Sequence, residues 1–351
     1  MRLVTYVKDG QEHLGALLDH DRQILNLAKA ATLAGTQRLP AFAAMPAFIE
    51  SGPAAWDEAR VILSSPPESA MVPSEACRLL APLPRPTQIR DCLCFPEHLR
   101  GAQRVLGERL IKTSPEPDKK RAQLEASGFF DVAASYYDFP VYYITNRLSI
   151  VGPDADVSWP SYSHFIDYEL EWAAVIGTTG SRIAKSHAKS HIFGYTIFND
   201  WSARDEQMKV MGGSINLGPG QGKDFANGLG PCIVTADELP DPYALTMTAR
   251  VNGIETARGS TAGMHYKFED LIEYVTRADA LHPGELLCSG TVGGGCCFES
   301  GHVLASGDQI ELEVEKIGVL RNRVLAPHIK AHADGGGADD MFAALGKVLK
   351  R

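Results

Sequence analysis

The segment Asp167–Gly177, with the sequence DYELEWAAVIG, decides the fold class. Its second half contains a short apolar run at residues 173–176, which predicts a buried strand. Successive side chains of a strand point to opposite faces, so Asp167, Glu169 and Glu171 share one face. The segment therefore predicts a strand that carries three carboxylates on one side and continues directly into the core.

Three carboxylates spaced two residues apart repel one another unless a cation lies among them. One interpretation of the segment is an acidic strand edge that faces solvent. The other is a site for a hard divalent cation such as Mg²⁺, Mn²⁺ or Ca²⁺, because these ions take carboxylate oxygens as ligands. The segment alone leaves both interpretations open.

A second segment, residues 194–207 with the sequence GYTIFNDWSARDEQ, favours the cation site. It predicts a strand that ends at Asp200, followed by a helix with Asp200 or Ser202 as its N-cap. Asp200 would then lie where a strand gives way to a helix, which is a common position for a site residue. The alternative is that Asp200 only caps the helix.

The same predicted helix carries a cation and an amide on one face. Arg204 and Gln207 are three residues apart, and side chains with this spacing are neighbours on a helix. Both could therefore face a pocket beside the carboxylates. The alternative is that Arg204 pairs with Asp205 or Glu206 on its own helix.

Composition and charge exclude several classes of protein. The 351-residue chain has 44% hydrophobic and 22% charged residues, which is typical of a globular protein rather than a disordered or coiled-coil one. Its formal net charge of -9 argues against nucleic-acid binding. The sequence contains no apolar run near the ~20 residues of a membrane helix, and residues 1–10 reach charge too early for a secretory signal. We expect a cytoplasmic protein that binds neither membranes nor nucleic acid.

The sequence pattern divides the chain into three regions. Residues 1–85 predict a small β-rich domain, and residues 86–330 predict a larger catalytic domain. The fold class predicted for the whole is mixed α/β and mostly β, with mostly antiparallel strands. Residues 331–351 predict a tail with a short helix. The densely charged stretch Arg100–Phe130 predicts two short helices around a mobile break, and we expect it to act as a lid over the substrate.

The two segments, in this order, resemble the fumarylacetoacetate hydrolase family. The first matches the D-x-E-x-E strand of that family and the second matches its N-D-W-S-A-R-D-x-Q turn. The resemblance extends from about residue 85 to about residue 328. It implies a small N-terminal barrel-like domain, a C-terminal mixed-β roll that carries the site, and a homodimer. The metal ligands that it implies are Asp91, Glu169, Glu171 and Asp200, with Mg²⁺ as the expected cofactor and Mn²⁺ or Ca²⁺ as alternatives.

Further family motifs supply the other candidate residues. By resemblance, His98, seven residues after Asp91, is the base that activates water. Glu299 would orient His98 if the alignment allows a shorter loop. Lys223, in a G-K-x-F motif, would take up charge on a departing enolate. Contacts to the substrate are implied for four residues, namely Tyr143, Arg204, Gln207 and Thr291.

Two stretches depart from the family pattern. Ala226-Asn227 replaces the G-T that follows the lysine in members that cleave fumarylacetoacetate, and the stretch from His98 to Tyr143 matches poorly. Both differences affect the side of the site that would meet the substrate. The loop at residues 290–295, GTVGGG, resembles an anion-binding loop on that side, because glycines let backbone N–H groups approach a ligand.

A charge count explains how an acidic protein could accept an acidic substrate. Four carboxylates around one dication leave a local charge of about -2, which Lys223 and Arg204 would bring to about zero. We therefore expect the partner to be a small anionic keto acid.

The predicted function is that of a divalent-metal-dependent hydrolase that cleaves a C–C bond in a β-diketo acid of the fumarylacetoacetate or acylpyruvate type. Such an enzyme would belong to the catabolism of an aromatic or sugar acid. His98 would activate water and the metal would stabilise the enolate. The alternative among enzymes is a 2-keto acid lyase (hydratase, decarboxylase or dehydratase) with the same metal site. Outside enzymes, the alternative is a catalytically silent ligand-binding relative, which the complete set of acids disfavours.

Overall fold

The computed structural model describes residues 1–211 and 218–328, so the tail predicted at residues 331–351 lies outside the described residues. Within them the chain forms 21 strands and eight α-helices. The strands are β1 (Arg2–Lys8), β2 (Gln11–Leu18), β3 (Gln23–Asn26), β4 (Met71–Pro73), β5 (Arg78–Leu79), β6 (Ile89–Cys92), β7 (Tyr142–Ile144), β8 (Ile150–Val151), β9 (Asp156–Ser158), β10 (Ile166–Asp167), β11 (Leu170–Ile176), β12 (Gly180–Ser181), β13 (Ile192–Asp200), β14 (Ser202–Ala203), β15 (Asn227–Thr235), β16 (Thr246–Val251), β17 (Ile254–Ser260), β18 (Ala280–Leu281), β19 (Leu286–Cys288), β20 (Gln309–Val314) and β21 (Gly318–Leu325). The helices are α1 (Leu27–Leu33), α2 (Met45–Glu50), α3 (Pro53–Ser64), α4 (Pro96–Lys112), α5 (Pro117–Ala126), α6 (Arg204–Met211), α7 (Phe268–Val275) and α8 (Cys297–Ser300).

A 12-stranded sheet carries most of the candidate site, and its main path runs β4-β3-β2-β1-β15-β13-β11-β19-β6-β7. Strand β1 joins the N-terminal strands to the rest, because Arg2 pairs with Val234 and Leu3 pairs with Ile233 on β15. The strands of residues 1–85 therefore continue a sheet that belongs mainly to the larger region. The division of the chain into domains at residue 85 stays a prediction.

Strand β11 lies between two hydrophobic cores, and its seven residues are all buried. On one face, Trp172 belongs to the core shared with a second sheet of five strands, in the order β17-β16-β20-β21-β9. Helix α7 closes this core, with the rings of Trp172 and Phe268 4.6 Å apart. On the other face, Ala173 and Val175 belong to a core that includes Phe48 of α2. Packing on both faces fixes the strand that leads into the carboxylates.

The acidic segment is not one continuous strand, which corrects the sequence prediction. Residues 166–167 pair with β14, while β11 begins at Leu170 and pairs with β13. Glu169 lies between the two pairings, in an isolated bridge to Cys296. Because the pairing partner changes, the carboxylate of Asp167 is directed to different partners from those of Glu169 and Glu171.

The helix after β13 begins later than predicted. Strand β13 extends through Asp200, and the short strand β14 follows before α6 starts at Arg204. The side chain of Asp200 accepts hydrogen bonds from Tyr143 and Lys223. The side chain of Ser202 donates to the carbonyl oxygen of Asp200. The extra strand therefore displaces the helix start from the predicted capping residues and leaves the Asp200 carboxylate for the site.

The charged stretch at residues 100–130 contains two helices in contact, as the sequence predicts, although the first is longer than expected. Helix α4 spans 17 residues and begins with Pro96 in its first turn, where proline is favoured. Helix α5 is linked to it because Arg121 donates hydrogen bonds of 2.9 and 2.8 Å to the carboxylate of Glu108. The motion of this segment as a lid stays a prediction.

The predicted fold class is confirmed, since helices, with the 3₁₀ helices included, and strands hold about 32% and 31% of the described residues in a mixed, strand-rich architecture. Most strand pairs are antiparallel, and the parallel pairs among the described strands are β8 with β15, β6 with β19, and β9 with β21. None of the helices in the described part of the chain has the length and apolar character needed to cross a membrane.

Candidate metal and acid–base site

The four predicted metal ligands meet at one point of the large sheet. Leu170 lies opposite Asn199 in the β11–β13 pair, so Glu169 comes beside Asp200. Asp91 reaches the same place from β6, two strands away across β19. The side chains of Asp91, Glu169, Glu171 and Asp200 are buried and offer one oxygen each, all within 4.8 Å of one another. The structure thus brings together acids from three separate strands.

Two buried cations lie against this cluster. Lys223 Nζ donates hydrogen bonds of 2.5 Å to both Glu169 Oε2 and Asp200 Oδ2. Arg204 Nη2 lies 2.7 Å from Glu169 Oε1, in ion-pair contact without the alignment of a hydrogen bond. Burial opposes the charge of Glu169, but Lys223 and Arg204 outweigh it and lower the pKa of that carboxyl. Glu169 is therefore held ionised between the two cations.

The other acids of the cluster are less well compensated by the two cations. Burial and the neighbouring carboxylates raise the pKa of Asp91 and of Glu171 well above the ordinary range. Burial also raises the pKa of Asp200, although Lys223 opposes it. Asp91 Oδ1 and Asp200 Oδ1 are buried without a hydrogen-bond partner. Unpaired buried oxygens in a set of carboxylates fit a hard divalent cation, which takes oxygen ligands only.

Asp167 has a structural role beside the site that the sequence did not predict, although the acidic segment places it nearby. Its buried carboxylate accepts a 2.6 Å hydrogen bond from Arg204 Nε. It also accepts the backbone N–H groups of Cys297 and Phe298, at 2.6 and 3.2 Å. Asp167 therefore fixes Arg204 and the start of α8 together. The D-x-E-x-E spacing places it near the site, but its partners depend on a strand break and on a helix 130 residues away.

Asp167 also changes the charge count predicted from the sequence. Arg204 is paired with Asp167 as well as Glu169, so a fifth buried carboxylate belongs to the same network. With two cations and one dication, the five carboxylates leave the network about one unit negative rather than neutral. The network as a whole therefore repels an anionic substrate, whereas the sequence-based count predicted a neutral site.

His98 and Glu299 form a hydrogen-bonded pair at the edge of the cluster, as the resemblance implies. His98 lies in the first turn of α4, and its Nδ1 is 2.7 Å from Glu299 Oε2. Glu299 lies on α8 and accepts two further hydrogen bonds, from Gly294 N at 3.0 Å and from Cys296 Sγ at 3.3 Å. These donors fix the carboxylate. The carboxylate in turn holds the imidazole with its other nitrogen, Nε2, available for proton transfer.

The residues predicted to contact the substrate lie around the same cavity. Tyr143 donates its hydroxyl to Asp200, and burial together with that acid raises the pKa of the phenol. Gln207 accepts a 2.9 Å hydrogen bond from Arg204 Nη1. Thr291 Oγ1 lies 3.4 Å from Glu171 Oε1. Each of these side chains thus has a polar partner within the protein, which orients it toward the cavity.

The glycine loop at residues 290–295 binds the protein's own carboxylates. Gly290 N donates a hydrogen bond of 3.0 Å to the carboxylate of Glu171, and Gly294 N donates one of 3.0 Å to the carboxylate of Glu299. These two N–H groups are therefore occupied, while Gly290 and Thr291 line the cavity, and contact between the rest of the loop and a substrate stays a prediction. Their effect on the chemistry is indirect, because they fix one acid of the cluster and the partner of His98.

One cavity of about 480 Å³ connects these groups, within the size range of small-molecule sites. Its polar wall consists of the four clustered acids and six of the other predicted residues, namely His98, Tyr143, Arg204, Gln207, Lys223 and Thr291. Its apolar wall includes Leu93, Leu99 and Val141. Glu299 lies behind His98. The arrangement can hold an anionic ligand next to a cation site and move a proton at its edge.

Comparison with known proteins identifies the class to which this fold and site belong. The sequence model of the fumarylacetoacetate hydrolase C-terminal domain matches residues 93–325. The chain therefore belongs to the fumarylacetoacetate hydrolase family, which is a family of enzymes.

Individual relatives differ in the activity for which they are named. The chain is 38% identical over 187 residues to the mitochondrial oxaloacetate tautomerase FAHD2A of Homo sapiens, a match that covers 53% of this chain and 59% of that protein. It is 29% identical over 248 residues to the oxaloacetate tautomerase YisK of Bacillus subtilis, covering 70% and 73%. A solved structure of a fumarylacetoacetate hydrolase from psychrophilic Exiguobacterium antarcticum has a TM-score of 0.68 and 26% identity, covering 93% of this chain and 99% of that one. The family is thus shared by proteins named for different reactions of keto acids.

Proposed function

We propose that the protein is a divalent-metal-dependent hydrolase that cleaves the C–C bond of a β-diketo acid of the acylpyruvate or fumarylacetoacetate type. The observation that carries this proposal is the His98–Glu299 pair in the same cavity as the four-carboxylate cluster. A carboxylate-backed histidine is suited to taking a proton from water. The neighbouring acids are suited to holding the cation that such a substrate needs.

The residues that would hold the cation are Asp91, Glu169, Glu171 and Asp200. When bound, a divalent cation supplies Lewis-acid stabilisation of negative charge on the oxygens of a 1,3-dicarbonyl substrate. An all-oxygen ligand set favours Mg²⁺, with Mn²⁺ and Ca²⁺ as alternatives. Lys223 and Arg204 keep Glu169 ionised, so this acid of the set is charged even without a bound metal ion.

His98 carries the proton through the proposed reaction. Its Nε2 takes one proton from a water molecule, whose oxygen attacks the carbonyl carbon remote from the substrate carboxylate. The positive charge formed on the imidazole is stabilised by Glu299 through the Nδ1 hydrogen bond of 2.7 Å. The bond between the attacked carbon and the central carbon then breaks, and Nε2 returns the proton to the central carbon. The products are a carboxylic acid and a keto acid, which is a 2-keto acid for an acylpyruvate and a 3-keto acid for a substrate of the fumarylacetoacetate type, so atoms and charge balance.

The two buried cations, Arg204 and Lys223, are fixed in place by the protein's own side chains. Arg204 is held by Asp167, Glu169 and Gln207, so its guanidinium is fixed before any ligand arrives. Lys223 Nζ bridges Glu169 and Asp200 and can stabilise charge that develops on the departing fragment. A fixed cation costs no rearrangement when that charge develops, which is the advantage of a preorganised site.

Tautomerisation of a 2-keto diacid is the second candidate, and the names of the human and Bacillus subtilis relatives favour it. In that reaction His98 Nε2 would move a proton between the substrate carbon and oxygen, and no water would be consumed. Among the lyase alternatives, decarboxylation would need the cation but no base that activates water, whereas hydration would need both. The three reactions therefore differ in their need for His98 and in their products.

One set of assays distinguishes the three reactions in the presence of Mg²⁺ or Mn²⁺. Loss of the diketo-enol absorbance of acetylpyruvate reports hydrolysis, conversion of enol-oxaloacetate to the keto form reports tautomerisation, and CO₂ release from oxaloacetate reports decarboxylation. The proposal expects metal-dependent hydrolysis that His98→Asn reduces at least ~100-fold. Arg104→Ala, an exposed change on the same helix, serves as control. Turnover of oxaloacetate with no loss of acetylpyruvate would replace the proposal by one of the alternatives.

The proposal also includes a homodimer, a cytoplasmic location and Mg²⁺ as the bound metal. A homodimer is tested by light scattering, and cytoplasmic location is tested by fractionation of the source cell. The human relative is named as mitochondrial, which makes the second test informative. The choice among Mg²⁺, Mn²⁺ and Ca²⁺ is tested by titration calorimetry of the metal-free protein.

A further inference from the structure

We propose that Gly101 is a positioning residue, because the lack of a side chain at this point of α4 lets the Glu299 carboxylate reach His98. The proposal rests on the proposed role of His98 as the base. Gly101 follows His98 by three residues, so both lie on one face of the helix. A Cβ atom on Gly101 would lie 2.0 Å from Glu299 Oε1 and 2.9 Å from Glu299 Cδ. Both separations are far inside van der Waals contact, so any side chain must displace the carboxylate.

If a side chain is added at Gly101, the Glu299 carboxylate moves rather than helix α4, because packing holds the helix in place. On the α8 side, Ala102 and Val105 of α4 pack against a small core that includes Cys296 and Phe298. Farther along the helix, Gly107 lies so close to Phe130 that a Cβ there would be 2.2 Å from the ring. Helix α4 is therefore held at two places, whereas the end of the Glu299 side chain can rotate. Rotation would break its hydrogen bonds to His98 Nδ1 and to Gly294 N, at 2.7 and 3.0 Å.

The location of this glycine is not explained by helix stability. Glycine in the interior of a helix is less favourable than alanine, because it loses more backbone freedom on folding. Gly101 has ordinary helical backbone and is the sixth residue of a 17-residue helix, so no left-handed conformation requires it. The steric demand of Glu299, which supplies the three atoms nearest to that Cβ position, is a local reason for a missing side chain. Gly101→Ala should accordingly leave the fold intact or stabilise it while it impairs proton transfer.

The kinetic test is a double-mutant cycle on the full chain with saturating Mg²⁺. Gly101→Ala is expected to lower kcat for acetylpyruvate by ~10–100-fold with little change in KM, and Glu299→Ala is expected to have the same effect. The double variant is expected to be no slower than Glu299→Ala alone, because the carboxylate that alanine would displace is already absent. Arg104→Ala, on the same helix and exposed, is expected to match the parent. The proposal would be overturned if Gly101→Ala lowered kcat by the same factor in the Glu299→Ala background as it does in the parent.

A second readout does not require turnover. In the parent protein, ¹⁵N spectra of labelled histidine are expected to show His98 protonated on Nδ1, toward Glu299. In Gly101→Ala, this signal is expected to change to the Nε2-protonated form, with the same change in Glu299→Ala and none in Arg104→Ala. An unchanged His98 signal in Gly101→Ala would overturn the proposal. If the signal changes but the parent hydrolyses no keto acid, Gly101 still positions Glu299 and only the proposed function fails.

Discussion

Replacing Asp167 by Asn should destabilise the fold and release Arg204 from its fixed position. The buried carboxylate accepts three hydrogen bonds, from Arg204 Nε, Cys297 N and Phe298 N, at 2.6, 2.6 and 3.2 Å. Removing one partner of a buried ion pair costs about 3–5 kcal/mol. Asn keeps one acceptor oxygen, and Arg204 keeps its contact with Glu169. We therefore expect the free energy of unfolding to fall by ~2–3 kcal/mol.

Urea denaturation of the metal-free proteins measures this loss directly. Asp156→Asn is the matched control, because Asp156 accepts hydrogen bonds of 2.8 and 3.0 Å from Arg323 at an exposed site. An exposed pair of this kind contributes between zero and about 1 kcal/mol. Steady-state kinetics should also show a raised KM for Asp167→Asn, since the guanidinium is no longer preorganised. Equal losses of stability in the two variants would refute the assignment of Asp167 to the network.

Three further predictions concern the metal, pH and the lid. Mg²⁺ at 100 times its Kd should raise the free energy of unfolding by about 2.7 kcal/mol. Asp91→Asn should abolish that rise while stabilising the metal-free protein, since it removes a carboxyl whose ionisation is disfavoured by burial and by the neighbouring acids. Thermal unfolding with and without EDTA tests this, and an unchanged metal effect would contradict it. Burial opposes the charge of Asp237, but hydrogen bonds from Arg60 and Thr235 lower its pKa to about 2. Its stabilising effect should be present above pH ~4 and lost as the pH falls toward 2. Because the Arg60–Asp237 pair is partly exposed, Asp237→Asn should lower the free energy of unfolding by less than ~1 kcal/mol at pH 6 and should not lower it near pH 2. An equal loss at both pH values would argue against the lowered pKa of Asp237. Trypsin should cut residues 100–130 more slowly when metal and a keto acid are bound, and equal rates would argue against a lid.

Part of the ligand cluster could be predicted from the sequence because its geometry is local. Glu169 and Glu171 share a face by strand alternation, and Asp200 ends the neighbouring strand. His98 could be proposed because its offset from Asp91 is short and matches a family motif. The shared face of Glu169 and Glu171 needs only the direction of side chains on one element, whereas the ligand set and the base are implied by the resemblance to the family's motifs.

The parts that could not be predicted depend on contacts between distant segments. The partners of Asp167 are set by a change of strand pairing and by α8, 130 and 131 residues away. The role of Gly101 depends on a contact with Glu299 that no periodicity reveals. The continuity of the large sheet across residue 85 depends on two residue pairs between β1 and β15. A sequence pattern specifies which face a side chain takes, but the packing of separate elements decides what it meets there.

The most direct test of the central claim is product analysis of acetylpyruvate by NMR, with Mg²⁺ and with parent protein beside His98→Asn. We predict acetate and pyruvate in equal amounts from the parent, no turnover after EDTA treatment, and a loss of at least ~100-fold in the variant with metal affinity unchanged. Failure of the parent to release acetate, or equal rates in parent and variant, would contradict the claim that His98 activates water for C–C cleavage at this metal site.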